Sequence, residues 1–288
     1  PPGGGGLELA PYLIRGWGRE MMIEFYKMSG SGNDFILIDN RDGSLAVGDV
    51  VEFVKSVCER KVSVGADGLF IIEKSDRVDF RWRFFNADGS EAAMCGNGAR
   101  CVARFAYLLG IAGERMSFET GAGIIDAEVR GDIVKVRLTD PYALVMDDEI
   151  RIENMTLFVH SINTGVPHVV HFVRDPDDFD VFNTGRAIRR HEHYQPAGTN
   201  ANFVAVVDDH TLRVRTYERG VEDETLACGT GSVASALIAA RKGLVESPVD
   251  VRVQSGELLR IYFEKTADGF TNIYLEGKAT VVYQGKLW

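Results

Sequence analysis

The segments "AMCGNGARC" (93–101) and "LACGTGSVA" (226–234) each set a cysteine directly before a Gly-x-Gly turn, 133 residues apart. The same interval joins Gly32 to Gly165, Gly65 to Gly198, Gly96 to Gly229, Gly98 to Gly231, Gly110 to Gly243 and Gly123 to Gly256. With 31 glycines in 288 residues, chance gives about two such pairs, and six occur. Similarity at a fixed long period marks a repeated structural unit. The chain is therefore expected to be a duplication, two halves sharing one set of turns.

The halves carry matching elements. Residues 99–109 place Val102, Phe105, Ala106 and Leu109 on one helical face, and Gly110 follows where a helix end favours glycine. Residues 232–240 are apolar almost throughout, predicting a short buried helix that ends at Lys242 and Gly243. Around them, runs at 35–39, 68–74, 78–85, 131–138, 202–207, 212–217 and 269–277 predict strands, many alternating as half-buried strands do. The expected fold class is α+β: two pseudo-symmetric domains, each a curled, mostly antiparallel sheet around a central helix. The first domain is expected over 22–140, completed by a C-terminal strand at 277–288, and the second over 141–276. Residues 1–21 lack the apolar core of a signal peptide and contain acids that a transit peptide avoids, so they are expected to be an extension ahead of a start at Met21 or Met22.

Charge narrows the function. With 32 basic and 42 acidic residues, the net charge of −10 disfavours nucleic acid and anionic membrane surfaces as partners. No apolar run approaches the roughly 18 residues that a membrane helix needs. Any anionic ligand must then be held locally, by helix N-termini or single arginines. The four cysteines show no C-x-x-C pair for a zinc site, and in a chain of this size without a secretory signal no disulfide framework is expected, so a cytoplasmic setting is the expectation.

Cys95 and Cys228 start their helices. Unpaired N–H groups and the helix dipole there favour a thiolate, so a lowered thiol pKa is expected. The neighbouring glycines let a carboxylate approach those N–H groups. Neither a Walker A motif nor a full G-x-G-x-x-G is present for phosphate. If the halves face each other about a two-fold axis, the two thiols approach one carbon from opposite sides, as two-base racemisation or epimerisation requires. Cys58 and Cys101 are expected to be small buried hydrophobes.

"GSGNDF" (30–35), "FFNADGSEAAMCGNGAR" (84–100), "NTGVPH" (163–168) and "ERGVEDETLACGTG" (218–231) together resemble diaminopimelate epimerase, in order from residue 22 to the C-terminus. The resemblance implies that family's fold and a cofactor-independent epimerase, without pyridoxal phosphate or metal, interconverting LL- and meso-diaminopimelate for lysine and peptidoglycan. Cys95 is then the acceptor of the proton from the LL substrate and Cys228 the donor. His168 and Glu218 resemble the pair that adjusts the thiols. Asn33, Asn86, Asn200 and Arg219 resemble the grip on the non-reacting end, with Glu218 also in contact. Gly96, Asn97, Gly229 and Thr230 line the helix N-termini where the reacting carboxylate belongs. The resemblance leaves a homodimer open.

Two positions depart from the commoner family pattern. Val166 stands where many members have asparagine, and Gly68 where many have glutamine; each loses a side-chain contact to substrate. The rivals are a proline or hydroxyproline racemase, which typically has proline where Ala227 stands, and a non-catalytic protein that clamps an amino acid.

Overall fold

The computed structural model describes residues 22–45, 47–153 and 155–287; the expected extension at 1–21 lies outside them. The first half runs β1 (Ile23–Gly30), β2 (Asn33–Asp39), α1 (Val50–Cys58), β3 (Gly68–Glu73), β4 (Phe80–Asn86), β5 (Glu91–Ala92), α2 (Gly96–Leu108), β6 (Arg115–Thr120), β7 (Gly123–Arg130) and β8 (Ile133–Arg137). The second runs β9 (Tyr142–Ile152), β10 (Met155–Asn163), β11 (Pro167–Phe172), α3 (Val181–Arg190), β12 (Asn200–Asp208), β13 (Thr211–Glu218), β14 (Asp223–Thr225), α4 (Gly229–Arg241), β15 (Val249–Arg252), β16 (Leu258–Lys265), β17 (Phe270–Lys278) and β18 (Thr280–Leu287).

Strand pairing repeats across the halves. In the first the order is β18-β1-β2-β3-β4-β6-β7-β8, and in the second β9-β10-β11-β12-β13-β15-β16-β17. The parallel steps fall at equivalent places, β2–β3 with β11–β12 and β4–β6 with β13–β15. An antiparallel ladder from β8 to β17 joins the halves. The last strand, β18, lies antiparallel beside the first, β1.

Each half folds its sheet around one helix. On α2, the face of Val102, Phe105 and Ala106 is buried as expected, while Leu109 is 37% exposed because the helix has already ended there. The α4 helix is buried nearly all round. Burying each of Val233, Leu237 and Ile238 contributes roughly 1.5–3 kcal/mol. Both helices share one continuous core with the inner faces of both sheets. After each helix the chain turns through a left-handed glycine, Gly110 at φ 65° and Gly243 at φ 72°, which a side chain would disfavour. Two further helices, α1 and α3, were not expected. They are short and amphipathic, and each covers the outer face of one sheet, α1 with Phe53, Val54 and Val57, α3 with Val181 and Ile188. Among the described residues no helix is long and apolar enough to cross a membrane.

Candidate active site

The two thiols cap two helices that meet head to head. Cys95 is the N-cap of α2 and accepts a 3.4 Å hydrogen bond from the Gly98 N–H; Cys228 is the N-cap of α4. A methyl group placed on Gly229 would lie 3.0 Å from Leu275 Cδ2 and 3.3 Å from Asn97 Oδ1, and one on Gly96 would lie 3.5 Å from the same Leu275 atom. Both helix N-termini therefore abut one leucine and each other. Glycine at these positions keeps backbone N–H groups open to a ligand.

Burial overturns one expectation. Desolvation pushes the Cys95 thiol upward, although the Gly98 and Asn97 N–H groups and the Arg100 charge oppose it. Desolvation and then Glu218 push Cys228 up to about 12. A charge in a site this dry costs more than the helix N-terminus returns. Burial therefore favours the thiol form at both positions, and beside Cys95 the Gly98 N–H and the Arg100 charge work against it. Glu218 bears on both sulfurs and is itself raised by burial, its Oε2 accepting from Thr225 Oγ1 at 2.9 Å. Cys58 and Cys101 are buried and also pushed up to about 12, as suits packing residues.

Beside Cys228 stands a file of polar side chains. Thr230 Oγ1 lies 3.6 Å from the sulfur and 2.9 Å from His168 Nε2. His168 is fully buried, and desolvation, then the Arg219 charge, hold its pKa down to about 3, so the ring is neutral. It reaches Cys228 only through Thr230, not by direct contact. Behind it, Asn202 Nδ2 is 3.2 Å from His168 Nδ1 and donates to the Val169 carbonyl at 2.8 Å. Thr216 Oγ1 donates to Asn202 Oδ1 at 2.9 Å.

Beside Cys95 the arrangement differs. Asn97 donates to Asn33 Oδ1 at 2.9 Å and accepts from Arg100 at 3.0 Å; Asn33 donates to Asp67 at 3.0 Å. Arg60 bridges Asp67 and Asp34, and Lys27 pairs with Asp34 at 2.8 Å. Asn33 is thereby a braced part of the wall. Arg100 is fully buried, and no described carboxylate lies within ion-pairing distance of it.

The expected grip is only partly assembled. Asn200, 3% exposed, donates to the Pro167 carbonyl at 2.8 Å and accepts from the Arg219 N–H at 2.9 Å, and Arg219 Nη1 donates to the Ala197 carbonyl at 2.9 Å. Asn86 is exposed at the end of β4 and donates to Ser90 Oγ at 3.0 Å. At Gly68 a side chain would start 2.5 Å from the Phe85 carbonyl and 2.8 Å from Phe84 Cε2. The Phe84 ring fills the space a glutamine needs. The sequence reading missed Asn202 and Thr216. Asn200 and Asn202, two apart on a strand, lie on one face, and that spacing was the available signal.

The family model for diaminopimelate epimerase matches residues 25–144 and 160–282. The diaminopimelate epimerase of Aquifex aeolicus is 48% identical over 92% of this chain and 98% of its own length. That of Archaeoglobus fulgidus is 48% identical over 93% of this chain and 97% of its own. Among solved structures, a hydroxyproline epimerase from Agrobacterium vitis shares the fold with a TM-score of 0.70 at 15% identity, covering 94% of this chain and 93% of the other.

Proposed function

The chain belongs to the diaminopimelate epimerase family, and from that membership we propose that it interconverts LL- and meso-diaminopimelate, with Cys95 and Cys228 as opposed proton carriers. The substrate's reacting carboxylate sits over the converging N-termini, held by N–H groups at Gly96, Asn97, Gly229 and Thr230. Asn200 and Arg219 grip the distal amino-acid group, with Asn33 as a braced wall and Asn86 at the rim. The substrate is a small molecule, and the setting is cytoplasmic, where thiols stay reduced.

The chemistry follows from the asymmetry of the thiols. Cys95, flanked by the Gly98 N–H and the Arg100 charge, enters the cycle as the thiolate, its own proton released to solvent. Its thiolate removes the α-proton of the LL substrate, and the electron pair of the C–H bond passes into the carboxylate as an enediolate. Dipoles of α2 and α4 stabilise that charge as it develops. The Cys228 S–H then protonates the opposite face. The product is meso-diaminopimelate, with Cys95 left as thiol and Cys228 as thiolate. The proton taken from the α-carbon and the proton returned to it are both carried by cysteine sulfur.

The observation that carries this reading is the pair of thiols capping two helices that meet at Leu275. The test is incubation of LL-diaminopimelate in deuterium oxide, followed by NMR. Inversion with one deuterium at the α-carbon of the product is expected. Substrate recovered with all its α-protium and no meso product would leave only a binding protein.

A further inference from the structure

Three buried residues of the second half hold places that three phenylalanines hold in the first. Across β2–β3 and β11–β12, Phe35 pairs with Gly68 and His168 with Asn200. Phe70 faces Phe84 across β3–β4, and Asn202 faces Thr216 across β12–β13. A methyl group on Gly98 would strike the Phe70 ring at 2.2 Å; one on the equivalent Gly231 would strike Asn202 Oδ1 at 2.3 Å. So Phe35, Phe70 and Phe84 correspond to His168, Asn202 and Thr216. The first trio is a set of packed rings, Phe70 on Phe84 at 4.3 Å and Phe35 edge-on to both. The second is a file of hydrogen bonds ending at Cys228. Replacing three rings by buried polar groups costs free energy unless every group is paired, and here each is.

We propose that Asn202 is a positioning residue: it fixes the tautomer of His168 and so aims the Thr230 hydroxyl at Cys228. The argument is one of donors and acceptors. Thr216 donates to Asn202 Oδ1 and the Val169 carbonyl accepts from Nδ2, so the carboxamide has one orientation. Its remaining N–H meets His168 Nδ1, which must be the lone-pair nitrogen. The ring proton is then on Nε2 and is donated to Thr230 Oγ1. With that lone pair engaged, the Thr230 hydroxyl proton turns to the sulfur. An O–H donor favours the thiolate over the thiol, which matters in the step where Cys228 carries charge. The other groups bearing on this sulfur are Glu218, the Gly231 N–H and Cys95; on His168 it is Arg219. None of them supplies the hydroxyl direction.

This inference rests on the two-base reading but is tested apart from it. With imidazole nitrogens labelled and His168 assigned by its loss in His168→Gln, two-dimensional proton–nitrogen NMR should show a neutral ring protonated on Nε2 from pH 5 to 9. In Asn202→Asp the carboxylate offers an acceptor to Nδ1, so that nitrogen should become protonated. Asn202→Leu, close in shape and without a polar group, covers the chance that the buried carboxylate prevents folding; its ring should lose the fixed tautomer. Epimerisation kcat should fall about 10-fold or more in both variants, the order of one hydrogen bond to a charged group, with KM moving far less. A wild-type His168 protonated on Nδ1, or titrating between pH 5 and 8, overturns the inference even in an active enzyme. Absence of epimerisation by the wild type, with the tautomer as described, would instead sink the reading of the site.

Discussion

His168 holds in the second half the place that Phe35 holds in the first, each on a strand that runs parallel to its neighbour, β11 beside β12 and β2 beside β3. A duplicated fold has thus been made unequal at its centre, and two chemically identical thiols sit on unlike supports. The consequences are measurable.

Cys95→Ala and Cys228→Ala should each lose epimerisation almost wholly, because each removes one of the two proposed proton carriers. Both should keep the wild-type fold by circular dichroism. Near-normal turnover by Cys228→Ala would leave Cys95 in a one-base mechanism.

The thiols should differ in reactivity. Burial raises both and each meets an N–H group, Gly98 at Cys95 and Gly231 at Cys228, but Cys95 is partly exposed while Cys228 is 6% exposed and pushed up to about 12. At pH 8, iodoacetamide should modify Cys95 first, with both slower than a free thiol and Cys58 and Cys101 slower still. Peptide mass spectrometry with time gives the order. Cys228 reacting first would reverse the assignment of the base.

His168 should make the fold sensitive to acid. Its folded pKa of about 3 lies below the unfolded value near 6.5. Between those values the unfolded chain binds the extra proton, so stability falls as pH drops from about 6.5 towards 3. His168→Gln removes that contribution. Its urea midpoint should depend less steeply on pH in this window than the wild type's, and parallel curves would disprove the burial of a neutral ring.

Gly98→Ala should destabilise the first half. Its new methyl group would meet the Phe70 ring at 2.2 Å, inside a stack with Phe84 and Trp82 that has no room to yield. Overpacking of this kind costs about 1–3 kcal/mol, read as a lower urea midpoint with unchanged slope.

Arg219→Met should keep stability and lose catalysis. The side chain spends one guanidinium nitrogen on the Ala197 carbonyl, which leaves the rest of the fork for a carboxylate. Loss of such a partner costs about 2–5 kcal/mol, appearing in kcat/KM for diaminopimelate. Unchanged kinetics would move the distal grip elsewhere.

The cysteines, the glycine turns and both central helices were legible in the sequence because cysteines are few and six glycine pairs keep one spacing. The paired roles of Phe35 with His168, Phe70 with Asn202 and Phe84 with Thr216 were not. Only the first pair keeps the interval of 133; the strand ladders bring the others to 132, one residue out of register. Period-two structure makes such a slip fatal to alignment by eye, since it exchanges inward and outward faces. The fall of the helix-capping thiols into a dry site was equally hidden, because desolvation depends on residues from both halves. The helices α1 and α3 escaped for a simpler reason: nine or ten residues give too few turns for their period to stand out.

The pairing of β18 with β1 ties a strand made after the second half to one made before it. During synthesis β1 can find β2, but its other edge stays open until Thr280–Leu287 leave the ribosome. The first half therefore remains incomplete while the whole second half is being made, although it is translated first. An open strand edge is a template for pairing with other chains, so the nascent chain is exposed to association until β18 has been made. The interval is set by translation rate, and slowing the ribosome over 141–279 should lower soluble yield more than slowing it over 50–110.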